Sequence, residues 1–365
     1  MQLTINKEKI IKALNQSSRF TSSRIGVPAG LQGILFSNTK GQLHVYSTNL
    51  NTFFHTVLES SSQDEVKFLL DHHKIIEFIA LLNEGEVTLL LEKDRVVVSQ
   101  NKTKGSFPLL AHSDFPMPPL VEGEGQVIDV GKFEKIISLV LFSASRDTSR
   151  PVLSGVNFVE KDGFMDIVAT DGFRLSLFHM KNELEMKSML IPADFLLELI
   201  RNIKGKKSII MNYLNKEKMV YFKTDNDEYF TRLIEGDFPP YERVIPIEKK
   251  SVATIEKDDL IRNVKLISVF ARDFSSIVIC HFKKGELILS PKIEGGAENT
   301  TTQEIEFEGE DLKVAFNFKF LLEFLNTINE EKVIIELLRS DAPVVLKTSK
   351  EKDYLHIIMP VRIQE

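Results

Sequence analysis

The sequence predicts an α+β protein in which one structural unit occurs three times, with antiparallel sheets. Two kinds of observation support this fold class: repeated sequence markers, and a mixture of helical and strand patterns without strict βαβ alternation. The first marker is a glutamate inside a short apolar helical pattern. Glu77, Glu198 and Glu323 share this setting and recur at intervals of 121 and 125 residues. The near-constant interval indicates duplication of a whole unit.

A second marker gives the same period. Asp114-Phe115-Pro116 recurs as Asp237-Phe238-Pro239 after 123 residues, inside proline-rich segments that resemble stiff linkers. Taken together, the markers predict three units, over residues 1–122, 126–248 and 252–365. If one unit–unit contact repeats, the chain curves, and two curved chains can close into a ring through a two-fold interface.

Each unit shows the same order of elements. Apolar residues at helical spacing predict an early helix over Lys7–Arg19, Gly131–Ser145 and Lys257–Ala271. Alternating strands follow, as in Leu43–Tyr46 and Met165–Val168. The glutamate-containing helix comes next, and a hairpin such as Val87–Ser99 closes the unit.

Composition excludes several classes of protein. The chain has 365 residues, 43% hydrophobic and 27% charged, which is typical of a folded globular protein rather than a disordered one. Cys280 is the single cysteine, so no disulfide can form within the chain and a reducing cytoplasm is the expected setting. The start of the chain shows no signal-peptide pattern, and no run approaches the roughly 20 apolar residues of a membrane span.

Charge is distributed unevenly between element types. The six long helical segments carry a net charge of +4, which leaves −10 for the rest of a chain whose net charge is −6. Such a division is typical of helices that face a polyanion, although lysine and arginine also favour solvated helix faces.

Catalytic and metal-binding motifs are missing from the sequence. It contains no HExxH pattern and no cysteine–histidine cluster, and the adjacent His72 and His73 are expected at the surface. Neither a glycine-rich dinucleotide fingerprint nor a nucleophile–base pair is present. We therefore expect no cofactor and no metal, and these motifs nominate no catalytic site.

Four segments carry a resemblance to a known family. They are Arg150–Phe158 (RPVLSGVNF), Ala169–Ser176 (ATDGFRLS), Gly236–Pro246 (GDFPPYERVIP) and His356–Ile363 (HIIMPVRI). Together they resemble the bacterial DNA polymerase III β subunits, the β sliding clamps, over the whole chain. The resemblance implies three DNA-clamp units per chain, with antiparallel sheets outside and helices lining a ring. It also implies a homodimer that encircles duplex DNA without sequence preference and catalyses nothing.

The resemblance also implies site residues. DNA contacts by resemblance are Arg24, Lys74, Arg146, Arg201 and Lys204, and helical position adds Lys12 and Lys265. The subunit interface is expected to join unit one of one chain to unit three of the other. Its candidates are Phe107 and Leu109, on a predicted edge strand that needs a partner, together with Val269 and Phe270.

Partner proteins of this family dock short, partly apolar motifs in a pocket between units two and three. The implied partners are the DNA polymerase III α subunit, the clamp-loader complex and other proteins with clamp-binding motifs. Matching positions are Leu153, Thr170, Gly172, Phe173, Arg174, Leu175, Pro239, Arg243, Val244, Phe274, Asn317, Phe320, Pro343, Met359, Pro360, Val361 and Arg362. Two alternatives from other classes are a cytoplasmic peptide-binding scaffold that never encircles DNA, and an enzyme with an unrecognised site.

Overall fold

The computed structural model describes residues 1–22, 26–147, 149–272, 275–292 and 299–362. The chain separates into two compact units, which differ from the sequence repeats because the second repeat contributes to both. The first compact unit holds residues 1–133 and 194–233, and the second holds residues 134–193 and 234–365. No helix among the described residues has both the length and the apolar character that a membrane crossing requires.

The described residues contain seven α-helices and two short 3₁₀ helices. The α-helices are α1 Lys7–Ser18, α2 Ala29–Gln32, α3 His72–Ala80, α4 Val130–Leu141, α5 Ala193–Ile203, α6 Lys257–Ala271 and α7 Phe318–Thr327. The 3₁₀ helices are Pro151–Ser154 and Tyr241–Val244.

Twenty-five strands make up the sheets of the described residues, and every pairing between them is antiparallel. The first thirteen are β1 Gln2–Asn6, β2 Gly33–Thr39, β3 Gln42–Thr48, β4 Thr52–Glu59, β5 Val66–Asp71, β6 Glu86–Leu91, β7 Arg95–Gln100, β8 Thr103–Leu110, β9 Gln126–Asp129, β10 Gly155–Lys161, β11 Phe164–Thr170, β12 Arg174–Lys181 and β13 Met189–Pro192. The others are β14 Ser208–Leu214, β15 Met219–Lys223, β16 Asp227–Arg232, β17 Ser251–Glu256, β18 Ile277–Lys283, β19 Glu286–Pro291, β20 Thr301–Glu304, β21 Glu306–Glu308, β22 Leu312–Asn317, β23 Lys332–Leu337, β24 Val344–Thr348 and β25 Tyr354–Ile358.

The first compact unit contains one twelve-stranded sheet, in the order β1-β6-β7-β8-β5-β2-β3-β4-β16-β15-β14-β9. Strand β4 of the first repeat pairs directly with β16 of the second, so two repeats share one continuous sheet. On its helical face Phe54 stacks on Phe20 at a ring-centroid distance of 5.3 Å, and Tyr229 lies 5.2 Å from Phe54. Burial of these rings joins α1 to the sheet at the place where the repeats meet.

The opposite face of the β4–β16 junction carries a polar chain. His44 Nδ1 lies 3.0 Å from His55 Nε2, and His55 Nδ1 lies 2.7 Å from Glu228 Oε2. Tyr221 donates its hydroxyl hydrogen to Glu228 Oε1 at 2.8 Å. Burial alone would raise the pKa of Glu228, but the His55 and Tyr221 hydrogen bonds and the charges of His55 and Lys223 outweigh it and lower the pKa to about 2.

This lowered pKa predicts an acid-sensitive junction. Stability from ionised Glu228 is present above the ordinary glutamate pKa and is lost as the pH falls towards about 2. We expect the urea midpoint of the wild-type protein to fall more steeply between pH 5 and pH 2 than that of Glu228→Gln. Equal slopes in the two proteins would contradict this assignment.

The second compact unit contains two sheets. A nine-stranded sheet runs β13-β10-β11-β12-β25-β24-β23-β17-β21, and a four-stranded sheet runs β20-β19-β18-β22. Here β12 of the second repeat pairs with β25 of the third, which is the counterpart of the β4–β16 pairing. Phe324 of α7 stacks on His356 of β25 at 5.0 Å, so α7 is packed onto the nine-stranded sheet.

Two details of the sequence prediction are wrong. Helix α4 ends at Leu141 rather than at Ser145, since the Ser143 and Ala144 amides turn back to bond the Val140 and Leu141 carbonyls. His72 is buried rather than exposed, because its Nδ1 lies 2.8 Å from the Gln32 carbonyl oxygen. By contrast, the predicted limits of α6, Lys257–Ala271, are confirmed.

Candidate functional site

A cationic groove lies between α1 and α5 in the first compact unit. Its volume is about 930 Å³, and its charged lining residues are Lys12, Arg19, Arg201, Lys204 and Glu198. Three of the predicted DNA contacts therefore come together: Lys12 on α1, Arg201 on α5 and Lys204 directly after α5. The two helices belong to different repeats. The exposed Arg19 was missed, although it is the residue directly after α1 and completes the positive set.

Packing beneath the groove fixes the two helices. Phe20 and Phe195 meet edge to face at 6.4 Å, and Gln16 donates a hydrogen bond of 3.2 Å to Asn202 Oδ1. Glu198, the repeat marker of α5, accepts a hydrogen bond from Arg201 Nη1 at 2.8 Å. The groove thus presents four cationic side chains against one carboxylate.

The other predicted DNA contacts lie elsewhere. Lys74 is exposed on α3 of the first compact unit. In the second compact unit, Arg146 is exposed in the segment after α4, and Lys265 is exposed on α6. Arg24 falls outside the described residues.

The loop between β11 and β12, in the second compact unit, has a tightly bonded backbone. Thr170 donates its hydroxyl hydrogen to the Arg174 carbonyl at 2.6 Å and accepts one from the Gly172 amide at 3.1 Å. Asp171 Oδ1 accepts hydrogen bonds from the amides of Phe173 and Arg174. Gly172 has φ = +92°, a conformation that favours glycine. This turn leaves the Phe173 ring 63% exposed while the next side chain points inward.

The inward-pointing side chain of Arg174 contacts two carboxylates and two aromatic rings. Its Nε lies 3.0 Å from Asp171 Oδ2, and its Nη1 bonds Glu323 of α7. The guanidinium carbon lies 4.6 Å from the centroid of Phe320 and 5.5 Å from that of Phe142. A buried guanidinium with two carboxylates and two aromatic faces fixes α7 against β12.

Beneath Arg174 lies a neutral histidine. His356 is fully buried, and its Nδ1 lies 2.8 Å from Ser176 Oγ, which itself contacts Ser143 Oγ at 2.8 Å. Burial, and secondarily the positive charge of Arg174, lower the pKa of His356 well below its usual range. The histidine therefore adds no positive charge under the loop.

The C-terminal tail runs beside this loop. The Met359 amide donates to the Phe173 carbonyl at 2.8 Å, and the Val361 amide donates to the Ala315 carbonyl at 2.8 Å. Pro360 is half-buried between these two backbone bonds, and Arg362 is exposed. Backbone pairing thus places the tail between the Phe173 loop and β22.

An apolar cluster adjoins the loop on the nine-stranded sheet. Leu175 packs in it with Val345 and Ile357, and Val244 of the second proline-rich linker, residues 239–250, packs against them. The linker is fixed by Tyr241, which donates its hydroxyl hydrogen to Asp166 Oδ2 at 2.7 Å. Its neighbours Pro239 and Arg243 are exposed.

The remaining predicted pocket positions are more scattered. Leu153 is buried in the 3₁₀ helix, where its carbonyl accepts a hydrogen bond from the Ser145 amide at 2.8 Å. Asn317 caps α7 by accepting a hydrogen bond from the Lys319 amide. Pro343 lines a small cavity of about 180 Å³ beside the second linker. Phe274 falls outside the described residues.

Sequence reasoning missed the partners of Arg174. Asp171 lies within the motif Ala169–Ser176, but the sequence identifies Glu323 only as a repeat marker. Its counterpart Glu77 is exposed on α3, so repeat-equivalent glutamates occupy different environments. Only the folded chain shows which of them meets an arginine from another repeat.

The predicted interface residues differ in exposure. Val269 and Phe270 on α6 are 58% and 43% exposed, next to Leu266 at 52%. Phe107, in contrast, points into the first core, 5.5 Å from the Phe78 ring, and Leu109 is half-buried.

Strand β8 is only partly an edge strand. Residues 103–108 pair with β7 on one side, and the pairing of β8 with β5 on the other side begins at Leu109. Among the described residues, the backbone of 103–108 therefore has a strand on one side only. The Phe107 side chain of the same segment is buried.

Metal-ligating side chains do not cluster in the described part of the chain. Within the described ranges, no group of three or more histidine, cysteine or carboxylate side chains could hold a metal ion. Cys280 is buried, and burial raises the pKa of its thiol to about 12.

Comparisons with known proteins cover the whole chain. The family models for the DNA polymerase III β subunit match its N-terminal domain to residues 1–119, its central domain to 127–240 and its C-terminal domain to 242–362. The β sliding clamp of Haemophilus influenzae is 24% identical and that of Halalkalibacterium halodurans 26% identical, with at least 99% of each chain covered. The solved DNA polymerase III β subunit of Thermotoga maritima has a TM-score of 0.91 at 25% identity, with both chains fully covered.

The three family models follow one another along the chain in the same order as the sequence repeats. The chain belongs to the family of bacterial DNA polymerase III β subunits, the β sliding clamps.

Proposed function

We propose that two copies of this chain close into a ring around duplex DNA and tether DNA polymerase III through a peptide pocket. As a member of its family the chain is a sliding clamp, a processivity factor and not an enzyme. The observation that carries the ring proposal is the cationic groove. In it, two helices from different repeats and the residues directly after them present Lys12, Arg19, Arg201 and Lys204 together. Phosphate attraction of this kind holds DNA without reading its sequence.

Closure of the ring rests on two incomplete surfaces. Among the residues that the structure describes, β8 has no strand on one side over 103–108, and β20 is the terminal strand of the four-stranded sheet. Helix α6 packs against β20 and exposes the apolar side chains of Val269 and Phe270. Pairing β8 of one chain with β20 of the other would cover both edges and bury this patch, and by two-fold symmetry it would occur twice.

The peptide pocket is proposed around Arg174. The exposed Phe173 ring, the Leu175–Val244 cluster and the tail at Met359–Arg362 offer apolar contacts, while Arg243 and Arg362 supply exposed positive charge. Pockets of this composition bind short segments through apolar anchors with a few orienting polar groups. We propose the α subunit of DNA polymerase III, the clamp loader and other motif-bearing proteins as its partners, on chromosomal DNA in the cytoplasm.

The experiment that tests encirclement compares two DNA shapes. The chain, loaded by a clamp loader onto a nicked circular plasmid, should remain bound through gel filtration at high salt. Cutting the circle once should release the protein. High salt screens the ionic contacts with DNA, so that only encirclement of a closed circle keeps the protein bound. Equal retention on the circle and on the linear form would contradict encirclement and favour a scaffold that binds DNA or its partners directly.

A second prediction concerns the groove. Arg201→Gln combined with Lys204→Gln should lower non-specific duplex affinity and reduce the slope of log K against log salt by about 2, because each lost phosphate contact removes about 0.9. Lys350→Gln with Lys352→Gln, a pair of exposed lysines in the second compact unit, serves as the matched control. An unchanged slope in the groove variant would exclude these side chains as phosphate contacts.

A further inference from the structure

The first compact unit contains a groove with the same construction as the proposed peptide pocket. Its volume is about 810 Å³, within the range of ligand-binding clefts. The first linker forms one wall through Leu120 and Val121, and the sheet supplies Ile210, Tyr221 and Phe230.

Strand register relates the two sites. In the first unit Phe230 of β16 pairs with Phe53 of β4 on one side and with Tyr221 of β15 on the other. In the second unit Ile357 of β25 pairs in the same way with Leu175 of β12 and Val345 of β24. The apolar floor of the proposed pocket therefore has a counterpart, built from the preceding repeats.

The linkers correspond as well. Val121 lies seven positions after Asp114, as Val244 lies seven positions after Asp237. Val121 lines the groove, and Val244 packs against the apolar floor of the pocket. Asn212 donates a hydrogen bond of 3.1 Å to the Glu122 carbonyl, which fixes the first linker over the sheet. The groove is therefore formed before any ligand arrives.

The groove and the proposed peptide pocket differ in charge. The linker position of the exposed Arg243 is taken by Leu120 in the groove, and the strand position of Arg174 is taken by Thr52. The first linker, residues 114–125, contains three carboxylates and no lysine or arginine. The sheet adds Glu228, but His55 at 2.7 Å and Lys223 at 3.4 Å already contact this carboxylate, so the acidic character of the groove comes from the linker.

We propose that this groove is a second docking site, for a linear segment of a partner protein that carries an apolar anchor flanked by lysine or arginine. The apolar floor accepts the anchor, and the acidic linker attracts the flanking cations. The idea of peptide docking rests on the proposed function, but the charge of the groove favours peptides of a different charge from those that bind the proposed pocket. One clamp could then hold two kinds of partner at once.

The test uses methyl NMR with the intact protein. Met117 and Ile210 line the groove, whereas Met359 lies in the tail beside the proposed pocket, so their methyl signals report the two sites separately. The probes are acetyl-Gly-Lys-Leu-Phe-Lys-Gly-amide and its twin with glutamate in place of lysine. We expect the lysine peptide to shift Met117 and Ile210 saturably without shifting Met359, and the glutamate twin to bind the groove at least tenfold more weakly.

Matched variants complete the test. Leu120→Arg with Glu124→Lys changes two exposed linker residues and should abolish the shifts of Met117 and Ile210. Ile247→Arg with Glu248→Lys makes the same change on the second linker and should preserve them.

Three outcomes would overturn the inference. The first is a lysine peptide that shifts the methyl signal of Met359 alone. The second is equal affinity of the lysine and glutamate peptides for the groove. The third is a shift of the groove signals that grows with protein concentration in the absence of peptide, which would mean that a second copy covers the groove. None of these three outcomes would contradict the proposed pocket or the proposed ring. Failure of the circular-DNA experiment would remove the ring and leave groove binding intact.

Discussion

Arg174→Ala should abolish stimulation of DNA polymerase III and destabilise the second compact unit by about 3 kcal/mol. Removing one member of a buried ion pair leaves the other charge without compensation, which typically costs about 3–5 kcal/mol. We expect the low end of this range because Glu323 is 41% exposed and stays hydrated without the arginine. Asp171, at 16% exposed, is the carboxylate that would be left as a mostly buried charge. Polymerase extension on a primed circle and urea unfolding measure the two effects.

A paired substitution separates function from stability. Arg174→Met with Glu323→Gln removes one charge of each sign and should regain part of the lost stability, yet should remain unable to stimulate the polymerase. Arg243→Ala, at an exposed linker position, is the control and should leave stability within about 0.5 kcal/mol of wild type. Full stimulation by the Arg174→Met, Glu323→Gln protein would show that the guanidinium is only a structural support.

Val269→Asp with Phe270→Asp should weaken the dimer at least 100-fold and remove the chain from circular DNA. Both side chains are exposed in the single chain, so the substitutions spare the core of the monomer. In the proposed interface they would bury two unpaired carboxylates at a cost of several kcal/mol, and 3 kcal/mol already corresponds to more than 100-fold in affinity. Analytical ultracentrifugation measures the dissociation constant.

The control for this prediction is Phe164→Asp. Phe164 is 45% exposed, close to the 43% of Phe270, but it lies at the start of β11. The control protein should stay dimeric. If both proteins dimerise like wild type, the patch on α6 is not the interface.

The sequence allowed the repeated organisation and most elements to be predicted, because each repeat encodes its helices and strands locally. Apolar periodicity was enough to locate α6 to the residue. The same periodicity failed after Leu141, where Ser143 turns away to bond Ser176, a residue from a distant strand. His72 was misplaced for a similar reason, since its partner Gln32 lies 40 positions away.

The sites show the same division between local and distant information. Motif resemblance located Arg174 and the tail, but not Glu323, because the ion pair joins positions 149 residues apart. The continuous sheet through β4 and β16 was also out of reach, since strand alternation in one repeat does not specify which strand of the next will pair with it. The groove beneath the first linker depends on that pairing.

The solution mass of the wild-type protein, determined together with a low-resolution outline, tests the central claim most directly. The ring predicts twice the chain mass of 41.6 kDa and a particle with a central hole wide enough for duplex DNA. A particle with the mass of one chain at micromolar concentration, or a dimer whose outline has no hole, would contradict it.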